Sequence, residues 1–381
     1  MKVTNVSVLI HNRPAPLRGV GAPGMFQLGV LSIETDEGLV GNSFVSAGPG
    51  KGAVQLAEQI VQFVKPMLMG QDPLQITRYW NNMTKMSRSI DTVVVGVVDV
   101  ALWDLAGKAA GLPVHKLLGS FREKMPAYLS SWIHEEPQDY VDEALHYQSL
   151  GYTGYKLHPL TQRRNFGEQV AAQIDVETCA AVRDAVGPHM DLMLDSAWAY
   201  DYREAIKVGL AIQDMDYLWY EDPLRHADDI YNYAKLREKL HIPILATEIT
   251  EGGVFAYPSW LAQRATDALR GDPVIKGGIT GMMKIAHLAE SYRLNCEVHD
   301  SYSSLMNVAA LNIALAISNT TSFEVLTINP KGEYSLDHTN YGLADPIEVD
   351  REGNVHAPVK PGLGHDIDWD LIRSDVEATV E

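Results

Sequence analysis

Cysteine is almost missing: Cys179 and Cys296 are the only two in 381 residues. They form no metal or redox spacing, which excludes a disulfide scaffold and cysteine-based metal or redox chemistry. Positive charge is scarce as well, with 31 Lys and Arg against 49 Asp and Glu and a formal net charge of -18. A surface of that sign is a poor partner for nucleic acid or an anionic membrane, so neither is expected. A small anionic substrate stays open, because a metal and a few local cations can reverse the field inside one pocket. No run of about 18 apolar residues reads as a membrane span. The opening MKVTNVSVLI lacks the apolar core and cleavage site of a signal peptide, so a cytoplasmic protein is the expectation. With 46% hydrophobic and 21% charged residues, the chain can bury a large core and is long enough for two domains.

The pattern changes along the chain. Residues 1–10 and 26–35 alternate apolar and polar as strands do, and Asp36-Glu37-Gly38 turns into a further strand at 39–46. Helical patterns follow at about 53–69, 73–86 and 89–110, the last closed by Gly111 before Pro113. Residues 1–125 therefore read as a three-stranded meander plus helices. Within them 15–24 (APLRGVGAPG) is rich in Gly and Pro and reads as a lid loop. From about 126, short apolar runs alternate with helical segments, at 127–131, 154–158, 190–195, 217–221, 243–248, 273–276, 296–299 and 322–326. Eight such runs predict a (β/α)8-type barrel, with active residues at the C-terminal ends of the strands. The final stretch loses the alternation and is expected to return to the first domain.

Three acids end consecutive runs: Asp195, Glu221 and Glu248, 26 and 27 residues apart. That interval suits one strand plus one helix, so three carboxylates would be aimed at one point. Like charges that close raise one another's pKa unless a cation sits among them. All-oxygen ligation suits Mg²⁺. Lys156 and His158 alternate on the preceding strand and share a face. Asp272 and His299 fall on the two strands after the trio, where the carboxylate can orient the imidazole and raise its basicity. Glu324, in the apolar run SFEVLTINP, is costly to bury without a partner.

Together these segments resemble the enolase superfamily and, within it, the mandelate racemase subgroup. DVALWDLAGKAAGLPVHKLLG (99–119) resembles the capping-domain helix and its exit into the barrel. YKLH (155–158) stands where that family has K-x-K. LDSAW, YEDPL and ATEIT resemble the three metal-ligand segments, DPVIKGGITG the sixth-strand segment, VHD the source of the dyad histidine, and PGLG (361–364) the closing segment. The resemblance implies a modified TIM barrel, (β/α)7β, with an α+β capping domain. Residues 1–125 would form the cap, 126–328 the barrel, and 329–381 a segment returning to the cap. It implies Mg²⁺ on Asp195, Glu221 and Glu248, Lys156 near the substrate carboxylate, Asp272 and His299 as the catalytic dyad, and Glu324 as a hydrogen-bond partner of the developing enediolate. It also implies a homo-oligomer.

There are departures. His158 replaces the second Lys of the motif, Ser196 replaces a common Asn, and Thr247 replaces a common Gly. The chain between His158 and Asp195 is long and contains Arg163-Arg164, which with 15–24 and 43–52 are expected to set substrate specificity. The chemistry implied is Mg-dependent removal of the proton α to a carboxylate. A His–Asp dyad without the second Lys favours dehydration of an acid sugar, aldonate or aldarate, to a 2-keto-3-deoxy acid. The competing readings are a racemase or epimerase using His158 and His299 on opposite faces, a cycloisomerase, and a non-catalytic binding barrel.

Overall fold

The computed structural model describes residues 1–14, 25–46, 52–301, 303–327, 332–337, 339–374 and 376–381. The expected lid at 15–24, half of the expected specificity segment (47–51 of 43–52) and the expected boundary at 328 lie outside the described residues.

The first sheet is antiparallel. Strand β1 (Val3–Pro14) pairs with β2 (Met25–Thr35), and β2 with β3 (Val40–Val45). The expected three-stranded meander has a fourth strand: β13 (Val376–Val380) pairs with β1, giving the order β13-β1-β2-β3. Five residues from the end of the chain thus complete the sheet, and nothing in their short, mixed pattern announces a partner so distant in sequence. The expected helix over 53–69 forms as three abutting helical pieces, Ala53–Gln59, Ile60–Val64 and Lys65–Leu68.

Helix Thr92–Ala110 begins where the Asp91 side chain accepts from the Val93 N–H and ends at Gly111 with φ 67°, a conformation that suits glycine. It is apolar nearly all round, as a helix enclosed on several sides must be. It packs on β3 and against helix Gly278–Ser291 of the barrel. A Cβ on Gly96 would stand 2.3 Å from the Val274 carbonyl oxygen, so glycine lets this helix brace the turn that follows Asp272.

The barrel strands are β4 (Lys124–Ser130), β5 (Gly154–Leu157), β6 (Asp191–Asp195), β7 (Trp219–Glu221), β8 (Ile244–Ala246), β9 (Ala268–Gly271), β10 (Asn295–Val298) and β11 (Phe323–Leu326). All pair in parallel, in the order β10-β9-β8-β7-β6-β5-β4-β11, with a helix in each of the seven connections. No pairing joins β10 to β11 among the described residues, so the (β/α)7β barrel is nearly closed. Strand β12 (Asn354–His356) pairs antiparallel with β4.

One strand lies elsewhere than expected. Residues 273–276 form a turn, and the strand is Ala268–Gly271. The apolar pair Val274-Ile275 imitates a strand, but Pro273 lacks an N–H for the ladder. The true strand was disguised by Arg270 within it. Inside the barrel, Tyr128, Met193, Trp219 and Leu245 form a small apolar cluster apart from the main core. Lys156, Glu221, Arg270 and Glu324, each 0% exposed, form a charged set on β5, β7, β9 and β11.

Candidate active site

Parallel strand ends collect the acids. Asp195 is paired in register with Glu221, and Glu248 follows β8 by two residues. One carboxylate oxygen from each of Asp195, Glu221 and Glu248 lies within 4.8 Å of the others, a cluster able to hold a metal ion. Oxygen-only donors of this kind suit a hard divalent cation such as Mg²⁺. Backbone strain accompanies the cluster. Ala197 (φ 40°) and Trp198 (φ 65°) follow Asp195, Asp222 (φ 37°) follows Glu221, and Thr247 (φ 90°) precedes Glu248. Non-glycine residues persist in such conformations only where their surroundings enforce them. At Thr247 the enforcement is visible: its Oγ1 donates to the Arg270 carbonyl (3.1 Å) and accepts from the Arg270 N–H (3.0 Å), stitching β8 to β9.

Two protein cations share the acids. Lys156 Nζ lies 2.7 Å from Glu324 Oε1, 3.2 Å from Glu221 Oε2 and 3.3 Å from Asp195 Oδ2. Arg270 pairs with Glu221, with Glu324 at 2.5 Å and with Glu248 at 3.5 Å. Burial alone pushes Glu324 up, yet Arg270 and Lys156 hold it well below the usual carboxylate range. Burial and Arg270 push the Lys156 ammonium down, and Glu221 and Glu324 outweigh them, so it stays well above its ordinary value. Glu221 is raised to about 7 by burial, opposed by Arg270 and reinforced by Asp195, which shows the like-charge cost of gathering these groups.

Two imidazoles flank the trio from different strands. His299, just after β10, has Nδ1 3.0 Å from Asp272 Oδ2. Asp272 is fixed in turn by the Val274 N–H (2.6 Å) and the Ser301 hydroxyl (2.7 Å), both donating to Oδ1. That leaves His299 Nε2 turned toward the trio, 3.5 Å from Glu248 Oε1. Burial lowers the His299 pKa, but Glu248, Glu324 and the Asp272 hydrogen bond raise it to about 10. His158, just after β5, has Nδ1 2.6 Å from the Ser131 carbonyl oxygen and Nε2 3.1 Å from Asp195 Oδ2. A backbone carbonyl only accepts, so Nδ1 carries a proton and Nε2 faces the acids.

The structure therefore brings Lys156, His158, Asp195, Glu221, Glu248, Asp272, His299 and Glu324 together. It does not bring the arginines of 163–164 to them. The Arg164 guanidinium grips Glu204 through both terminal nitrogens, at 2.9 and 3.0 Å. Arg163 pairs with Glu168 at 2.5 Å. Arg164 lines instead a cavity of about 940 Å³ beside Trp198, Arg225 and Ile249. Sequence reasoning missed Arg270 altogether. The available signal was its position two residues before Asp272, hence on the same face of one strand. It also missed Gln162, whose amide donates to the Asp195 carbonyl (2.6 Å), and Lys276, which donates to the Thr250 carbonyl (2.7 Å) just beyond Glu248.

Comparison with known proteins gives a consistent picture. Residues 2–119 match the mandelate racemase / muconate lactonizing enzyme N-terminal domain, and residues 139–371 match the enolase C-terminal domain-like family. An arabinonate dehydratase of Saccharolobus solfataricus is 29% identical over 348 residues, 88% of this chain and 87% of that one. A D-galactarolactone cycloisomerase of Agrobacterium fabrum is 29% identical over 387 residues, covering 98% of each chain. A crystal structure of D-glucarate dehydratase from Agrobacterium tumefaciens, complexed with magnesium, superposes with a TM-score of 0.88 at 29% identity, over 99% of this chain and 100% of that one. No helix among the described residues is long and apolar enough to cross a membrane.

Proposed function

The chain belongs to the mandelate racemase / muconate lactonizing enzyme family of enolase-like proteins, and from that premise we propose that it is a hydro-lyase acting on an acid sugar. An aldonate or aldarate would lose water to give a 2-keto-3-deoxy acid. The observation that carries the reading is the oriented His299–Asp272 pair facing a carboxylate trio, with a second imidazole, His158, on another side of it. The arabinonate and glucarate dehydratases among its relatives support the reaction class.

Asp195, Glu221 and Glu248 would hold Mg²⁺. When bound there, it would supply Lewis-acid stabilisation of charge on the substrate carboxylate. Lys156 faces the same charge with a fixed cation, and Glu324, ionised and accepting from Lys156 at 2.7 Å, holds that cation in place. With a cation on the trio offsetting Glu248, the carboxylate that most raises the His299 pKa, an unprotonated Nε2 would take the α-proton, while Asp272 keeps Nδ1–H pointed away and stabilises the imidazolium that forms. His158, with its Nδ1–H tied to Ser131, delivers a proton from Nε2 to the departing β-hydroxyl. The enol then tautomerises in solution or in the site.

Incubation with Mg²⁺ and a panel of aldonic and aldaric acids tests this directly. A 2-keto-3-deoxy product from at least one acid is expected. No such product from any of them would count against the reading. The cycloisomerase among the relatives keeps one alternative concrete, and a lactone substrate belongs in the same panel.

A further inference from the structure

Five carboxylates converge at the barrel mouth: Asp195, Glu221, Glu248, Asp272 and Glu324. The permanent cations contacting them are Lys156 and Arg270. Their placements differ. Lys156 serves Asp195, Glu221 and Glu324. Arg270 serves Glu221, Glu248 and Glu324, so among the described residues it is the permanent cation in contact with Glu248. It is 0% exposed and cannot swing away into solvent. Its backbone is pinned on both sides by Thr247 Oγ1, and its carbonyl also accepts from the Tyr257 hydroxyl at 2.8 Å.

We infer that Arg270 is the resident counter-cation of the candidate metal site. It holds Glu221 and Glu248 in place while no metal is bound, and it shares that role with the metal afterwards. The inference rests on the reading of the trio as a metal site. Two consequences have opposite signs. Without Arg270, the empty site holds buried carboxylates with too little positive charge, which is strongly destabilising. The same loss removes a positive charge next to an incoming cation, so the metal should bind more tightly. A residue of purely structural importance would give the first effect without the second. Lys156 still ties Asp195 to Glu221 in such a variant, so two of the three donors stay together while Glu248 loses its contact cation.

The test uses full-length protein stripped with chelator, wild type and Arg270→Gln, titrated with MgCl2 by calorimetry and followed by thermal unfolding. Arg270→Gln should lower the melting temperature of the stripped protein and enlarge the rise caused by Mg²⁺. Its Mg²⁺ dissociation constant should tighten by about tenfold, the scale of one removed charge partly screened by its surroundings. Arg270→Lys, which keeps the charge, should lie close to wild type in affinity. If Arg270→Gln binds Mg²⁺ no more tightly than wild type, the inference is overturned while the metal reading stands. If wild type itself binds no Mg²⁺, both fall, and the wild-type titration alone tells these cases apart. Should Arg270→Gln fail to fold when stripped, recovery on adding Mg²⁺ is the expected outcome. Glu324→Gln and the double variant Arg270→Gln/Glu324→Gln, which removes one of the three carboxylates that lose Arg270, then serve for the affinity measurement. A double variant that binds Mg²⁺ no more tightly than Glu324→Gln alone would again overturn the inference.

Discussion

At the scale of single residues, the two imidazoles divide the chemistry, and their variants should fail differently. His299→Asn should lower turnover about 10³-fold, within the range for loss of a general base. It should also abolish exchange of the α-proton with solvent, with the fold intact by circular dichroism. His158→Asn should keep that exchange and lose the elimination of water, because its place in the mechanism comes after proton removal. Equal loss of both in the His158 variant would turn the account toward a racemase-like use of two bases. These residues were legible in the sequence because polar groups at the ends of apolar runs, repeated at a barrel interval, carry their own geometry. Arg270 was not. A charged residue in the middle of a strand argues against the strand, and only its carboxylate partners on β7 and β11 make it affordable there. The arginines of 163–164 present the opposite case, because the sequence does not show their partners. They look free in sequence, and Glu168 and Glu204 engage them in the fold.

At the scale of elements, the junction after β8 shows how strain and hydrogen bonding are balanced. Thr247 sits at φ 90° where glycine would be at ease, and its hydroxyl makes two buried bonds to the backbone of Arg270. Thr247→Ala keeps the strain and loses both bonds, so it should destabilise by roughly 1–3 kcal/mol. Thr247→Gly loses the same bonds but relieves strain of order 1–3 kcal/mol, so it should cost less than the alanine variant despite being the larger deletion. Denaturant titration of the two variants checks the order; an alanine variant more stable than the glycine variant would remove the strain argument. The next junction, after β9, explains the misplaced sixth strand. The apolar residues after Asp272 belong to a turn packed beneath Gly96, an inter-domain contact that no local pattern could reveal.

At the scale of the whole molecule, cap and barrel meet through a buried acid. Asp99, on the capping helix, accepts from the Thr280 N–H at 2.8 Å in the first turn of a barrel helix. Its Oδ1 has no hydrogen-bond partner among the described residues. Burial raises its pKa to about 7, against 3.8 in the unfolded chain. Between those values the folded protein keeps a proton that the unfolded chain has released, so this group's contribution to stability is full below about pH 4 and is lost as pH rises toward 7. At about 1.4 kcal/mol per pKa unit, the effect is on the order of a few kcal/mol. Asp99→Asn should flatten that part of the pH–stability curve. An unchanged slope would show that Asp99 is ionised throughout. The broad architecture was readable because eight short apolar runs alternate with helical segments. The closure of the first sheet by Val376–Val380 was not, because a five-residue strand acquires meaning only beside β1.

The central claim, proton abstraction α to a carboxylate followed by loss of the β-hydroxyl, is tested most directly by turnover in D2O with Mg²⁺ and an acid sugar that the protein consumes. The account predicts a 2-keto-3-deoxy acid carrying solvent deuterium at C3, where the enol is reprotonated. An α-deuterated acid with its hydroxyls intact and no 2-keto-3-deoxy product beside it, or a product without deuterium at C3, would contradict it.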